Sequence, residues 1–142
     1  MAWVVDTCVL LDVARKDPTW GLKSATLLDQ HLAEGLAVCP ISAIEITPQF
    51  GGNFEEVRRF LAILGAQDAH GWQDADTRAS AQGWFAYVTA RRRNPAPKRP
   101  IADILIGAFA SRFQGLITRN PGHFQSWFPQ LRLLNPATLQ LD

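Results

Sequence analysis

Four polar residues stand where apolar runs end or are interrupted. Asp6 closes Trp3-Val4-Val5, Glu45 sits in Ile41-Ser42-Ala43-Ile44-Glu45-Ile46, Asp103 in Ile101-Ala102-Asp103-Ile104-Leu105-Ile106, and Asn120 follows Leu116-Ile117-Thr118-Arg119. A carboxylate at the edge of a hydrophobic element is costly to desolvate, so several of them point to a shared compensating partner. The simplest partner is a hard divalent cation, which takes oxygen ligands and keeps several of its waters. The chemistry this implies is metal-dependent phosphoryl transfer. Glu45 has a plainer reading beside that one: Ser42 with Glu45 three residues later matches a capping box at a helix start.

The elements that must position these residues follow from the hydrophobic pattern. Trp3-Val4-Val5 is a short unbroken apolar run, the pattern of a strand covered on both faces. Thr7 is placed to cap a helix over 8–14, and Leu22, Ala25, Leu28 and Leu32 form one stripe of a helix over 20–34, with Gly35 as its stop. A strand is expected over 36–39, ended by Pro40, and a helix begins at Ser42. Asn53 caps a further helix with Phe54, Val57, Leu61 and Leu64 inward. A short strand over 65–69, a helix over 74–92, a central buried helix over 101–113, and strands over 115–118 and 131–134 complete the pattern. The three prolines of 94–100 mark a loop, and Asn120-Pro121-Gly122 a turn. Short apolar strands separated by helices specify an α/β domain with a mainly parallel sheet. Functional groups in such sheets gather beyond the carboxyl ends of the strands, where Asp6 and Asn120 fall. Glu45 and Asp103 are expected in first helical turns, where the dipole favours an anion.

Bulk properties bound the function. The chain of 142 residues is one domain, 1–142, and 47% apolar with 19% charged residues is a globular composition. With a formal net charge of +1 the chain is no polycation, so nucleic-acid binding requires a local basic patch. Arg91-Arg92-Arg93 with Lys98 and Arg99 is such a patch, readable either as a seat for phosphates or as cations suited to a helix C-terminus. Arg119 is a further phosphate-contact candidate. Trp72, Trp84 and Trp127 are stacking candidates or core groups. Trp20 and Leu22 with the region from Phe50 to Phe60 could present a face to a partner protein. Cys8 and Cys39 have no metal-type spacing and read as buried free thiols in a reducing cytoplasm. The N-terminus reads as a first strand rather than a signal peptide, and no apolar stretch is long enough to cross a membrane.

Val4-Val5-Asp6-Thr7-Cys8-Val9-Leu10-Leu11, Ser42-Ala43-Ile44-Glu45, Pro100-Ile101-Ala102-Asp103-Ile104-Leu105-Ile106-Gly107-Ala108 and Ile117-Thr118-Arg119-Asn120-Pro121-Gly122-His123-Phe124 together resemble the four motifs of PIN-domain nucleases. In style they are most similar to the VapC-like ribonuclease toxins of toxin–antitoxin pairs. The resemblance implies a three-layer α/β/α fold with a parallel sheet of four or five strands. It implies cleavage of RNA dependent on Mg²⁺ or Mn²⁺, with Asp6, Glu45 and Asp103 as the acidic core and metal ligands. Thr7 would orient the Asp6 carboxylate or a water. A cognate antitoxin and a homodimer are the implied protein partners. The fourth corner departs from the pattern, because many relatives carry an acid at the position of Asn120 or of His123. Asn120 can supply a carbonyl oxygen or hold a water. His123 can meet phosphate or a metal-bound water, or stand as a solvent-exposed loop histidine.

Two rival readings follow. A haloacid-dehalogenase type phosphatase also begins with a strand ending in Asp, but its second Asp two residues on is Cys8 here, and it has no need of Glu45. A catalytically weakened or inactive PIN-like module would keep RNA or protein contacts without cleavage.

Overall fold

Val4 turns to one face of its strand while Trp3 and Val5 turn to the other, and each face carries its own apolar core. The computed structural model describes residues 1–93 and 101–141. The elements are β1 (Trp3–Val5), α1 (Thr7–Ala14), α2 (Gly21–Gln30), β2 (Leu36–Ala37), α3 (Pro40–Glu45), α4 (Phe54–Leu64), β3 (Ala66–Gln67), α5 (Asp74–Arg93), α6 (Ile101–Ala110), β4 (Gly115–Ile117), α7 (Gly122–Gln125) and β5 (Leu133–Leu134). Among the described residues the strands form one five-stranded sheet in the order β3-β2-β1-β4-β5, every pairing parallel.

Val9 and Leu10 of α1, Leu27 and Leu28 of α2 and Val57 and Leu61 of α4 pack on one face around Trp3 and Val5. Ile106, Phe109 and Ala110 of α6 with Phe124 of α7 pack on the other around Val4 and Leu116. The result is the expected helix–sheet–helix layering. α6 is apolar nearly all round because it lies between the sheet and α5, against which it packs. Gly107 permits that crowding, since a Cβ there would meet Phe128 at 2.5 Å.

Several local expectations need correction: α2 stops at Gln30, Leu22 and Leu32 of its expected stripe are exposed, and so is Phe54. α1 is capped by Asp6, not Thr7: the Asp6 carboxylate accepts the Thr7 N–H. α3 begins at Pro40, two residues before Ser42, because a proline suits the first helical position. Glu45 is therefore the last residue of α3 rather than part of a first turn, and no capping box forms. Asp103 does lie in the first turn of α6. Asn53 caps α4 as expected, accepting from the N–H groups of Glu55 and Glu56. Lys98 and Arg99 lie outside the described residues.

The strand order reverses between β1 and β4, where one half of the sheet leads away through β2 and β3 and the other through β5. The crevice beyond the carboxyl ends of two such strands is the usual ligand site of open α/β sheets. Asp6 leaves β1 there, and Thr118, Arg119 and Asn120 leave β4.

Candidate active site at the carboxyl edge of the sheet

Asp6 is the centre of the arrangement. It is only 6% exposed, and both carboxylate oxygens are engaged. Oδ1 accepts the Thr7 N–H at 2.8 Å, and Oδ2 accepts the Thr118 hydroxyl at 2.7 Å and the Cys8 thiol at 3.4 Å. Burial pushes the Asp6 pKa up; the three hydrogen bonds oppose the rise, and the charge of Asp103 adds to it. Asp103, in the first turn of α6, is thus an electrostatic neighbour of Asp6. Its carboxylate meets His123 Nδ1 at 3.2 Å, which places His123 at the site.

Glu45 reaches the same region from α3. Thr7 donates its hydroxyl to Glu45 Oε1 at 2.7 Å and also lies 3.0 Å from Ser42 Oγ. Glu45 is exposed whereas Ser42 is fully buried, so Ser42 belongs to the floor and Glu45 to the mouth. Asn120 enters through its backbone: its N–H donates to Thr118 Oγ1 at 3.0 Å. Asn120, Thr118 and Asp6 therefore form a chain of hydrogen bonds that joins the end of β4 to the end of β1.

Arg119 is paired within the chain. Its guanidinium grips the buried Asp12 of α1 with both arms, at 2.6 and 2.9 Å, and lies 5.2 Å from the centre of the Trp20 ring. Ser24 donates a further hydrogen bond to Asp12. The pairing with Asp12 raises the Arg119 pKa further. A second fork of the same kind joins Arg112 to the buried Asp76. Arg92 and Arg93 end α5 and are exposed.

The sequence reading missed Thr118, Cys8, Ser42 and Asp12. Thr118 carried one local signal, a hydroxyl at the end of a buried strand two residues before Asn120. Asp12 carried a weaker one, an acid inside the apolar helix Cys8 to Ala14. Trp72 stacks on Phe109, and Trp127 meets Tyr87 edge-on, as core groups do. Both cysteines are free, and burial pushes each thiol up to about 12.

The donor set is made of oxygen, with one desolvated carboxylate beside a second. Among the described residues no three His, Cys, Asp or Glu side chains gather closely enough to hold a metal ion between them. Mg²⁺ needs only one or two carboxylates and keeps its waters. Asp6 with Asp103 fits that mode, and Glu45, held through Thr7, stands outside it. Compared with family models, curated proteins and solved structures, the chain matches none.

Proposed function

We propose that this chain is a metal-dependent endoribonuclease of the PIN type, acting as the cytoplasmic toxin of a toxin–antitoxin pair. The observation that carries the reading is the Asp6 carboxylate. It is buried at the switch point of a parallel sheet, raised in pKa by burial and by Asp103, and linked through Thr7 to Glu45. A carboxylate kept there against its desolvation is suited to a divalent cation, and it matches the motif order of the resemblance.

In this reading Asp6 and Asp103 would hold Mg²⁺ or Mn²⁺ together with water, and the chemistry such an ion would supply when bound is activation of water and neutralisation of phosphate charge. Thr118 and the Thr7 N–H fix the Asp6 carboxylate in one orientation. Thr7 holds Glu45 at the mouth, where its free oxygen can take a proton or position a water. His123 sets the Asp103 carboxylate and is the nearest candidate for a phosphate oxygen. A cognate antitoxin and a second copy are the proposed protein partners, with exposed Leu22, Ile44 and Ile63 as apolar contacts available to them.

The test is cleavage of labelled RNA with and without Mn²⁺, by the native chain, Asp6→Asn and Asp103→Asn. Metal-dependent cleavage lost in both variants supports the nuclease; equal metal-free signal in all three overturns it. A non-catalytic RNA-binding module is the second reading, favoured by the uncharged Asn120 corner and by the lack of a three-ligand group among the described residues. Its signature is RNA binding without cleavage in any metal.

A further inference from the structure

The sheet has a second edge, where its strands begin, and a cavity of about 520 Å³ opens there. Gln114 and Arg132, which line it, stand immediately before β4 and β5. Thr118, which holds Asp6, follows β4 at the other end. Four strand steps of about 3.3 Å separate Gln114 from Thr118, so an occupant of the cavity lies roughly 13 Å, a strand's length, from the Asp6 edge. It takes no part in the chemistry of the carboxylates.

The walls of this cavity are aromatic and anchored. Phe113 packs against Phe109 with ring centres 5.0 Å apart, and Trp127 meets Tyr87 edge-on at 5.6 Å. Phe128 is seated in a notch left by two glycines: a Cβ on Gly107 would stand 2.5 Å from its ring, and one on Gly83 3.3 Å. Leu131 completes the apolar lining, its N–H donated to the Phe128 carbonyl at 3.0 Å. All four side chains are only partly buried, since each turns one side to the cavity. A concave site of this volume, with rings fixed by core neighbours, has the size and the preformed apolar lining of a small-molecule pocket.

Charge sets the sign of the ligand. Arg132 is the one charged side chain of the lining, and no carboxylate shares it. Arg112 and Arg119 are each clamped on a buried aspartate, whereas among the described residues Arg132 has no ion pair. Its exposed guanidinium lies 5.5 Å from the centre of the Trp3 ring. That ring is fixed in turn by its indole N–H, donated to Glu34 Oε2 at 2.9 Å. Glu34 Oε1 is taken by His31 at 2.7 Å, so this acid is engaged elsewhere. A guanidinium held over a ring and open to solvent is suited to a carboxylate, which it binds with two parallel hydrogen bonds.

We propose that this cavity binds a small planar aromatic acid, its rings against Phe113, Trp127 and Phe128 and its carboxylate on Arg132. The site stands whether or not the chain cleaves RNA. The experiment is calorimetric titration of the native chain with 2-naphthoate and two analogues. 2-Naphthamide keeps the rings without the charge, and decahydro-2-naphthoate keeps the charge without the flat rings.

2-Naphthoate should bind more tightly than either analogue. Arg132→Gln should weaken 2-naphthoate roughly tenfold, the loss of a charge-assisted hydrogen bond, and leave 2-naphthamide unchanged. Trp127→Ala should weaken both aromatic ligands several-fold. Arg132 is exposed, so its variant decides the matter even where loss of Trp127 unfolds the chain. A labelled RNA in EDTA should not compete with 2-naphthoate. No binding of 2-naphthoate up to millimolar concentration overturns the proposal, as do equal affinities for acid and amide or competition by RNA. A chain that leaves 2-naphthoate unbound and self-associates, with the association broken by Arg132→Gln, also overturns it and assigns the cavity to a second copy.

Discussion

Thr118 donates its hydroxyl to Asp6 Oδ2 across 2.7 Å, while the same hydroxyl oxygen accepts the Asn120 N–H at 3.0 Å. Thr118 is fully buried, so nothing from solvent replaces it. Thr118→Val keeps the shape and removes the donor from a buried carboxylate. Urea unfolding at neutral pH should show a loss of about 1–3 kcal/mol, the cost of an unsatisfied buried polar group. Thr118→Ser, which keeps the hydroxyl, should recover most of it.

The raised Asp6 pKa makes stability depend on pH in a defined direction. The unfolded carboxyl has its ordinary value of 3.8, and the folded one lies above it. Between those two values the folded state binds more protons, so stability falls as pH rises through the window. Asp6→Asn removes this effect at nearly the same side-chain size, turning one acceptor oxygen into an NH₂ donor, so the variation of the difference with pH is what reports the titration. Thermal midpoints of the two chains should coincide or favour the native one below the window. The balance should move toward Asp6→Asn as pH rises above it. A difference that does not vary with pH would contradict the assignment.

If Asp6 binds a cation, Mn²⁺ should raise the thermal midpoint of the native chain and leave that of Asp6→Asn unmoved, because only a ligand of the folded state stabilises it. A shift of equal size in both chains would place the ion elsewhere.

Arg119 and Asp12 predict a contrast with a surface pair. Arg119→Ala leaves Asp12, 5% exposed, with Ser24 and without its cation, and should cost about 3–5 kcal/mol in chemical denaturation. Arg59→Ala breaks an exposed pair with Glu56 and should cost under about 1 kcal/mol. Similar losses would mean that Arg119 does not hold α1 to the end of β4.

Both thiols, raised to about 12 by burial, should be nearly inert in the folded chain. A disulfide reagent at mildly alkaline pH should titrate two thiols rapidly in denaturant and almost none in buffer. Rapid native reaction of Cys8 would show that the floor beneath Asp6 opens to solvent.

Much of the architecture was legible from the chain. Unbroken apolar runs such as Trp3-Val4-Val5 specify strands buried on both faces, and the intervening helical stripes then require a parallel sheet. Asn53 declared its helix start because a cap acts on N–H groups two and three residues away, within one turn. Asp6 and Asp103 were found at the ends of their elements for the same reason. Glu45 departs from expectation for an equally local reason. A proline after an apolar run can end a strand or open a helix, and because Pro40 opens α3, Glu45 falls in its last turn rather than its first.

What the residue order determined by itself was therefore the succession of elements, the carboxylates at their ends and the burial of Cys39, with Cys8 partly buried. These depend on propensities and periodicities that act over one or two helical turns. Only the tertiary structure decided the partners: Thr118 for Asp6 across 112 positions, and Asp12 for Arg119 across 107. Those pairings follow from β4 lying beside β1, and strand order is set by how both faces of the sheet are covered. No short-range preference encodes it, and so the pairing of Arg119 with a buried aspartate is decided by the tertiary structure alone.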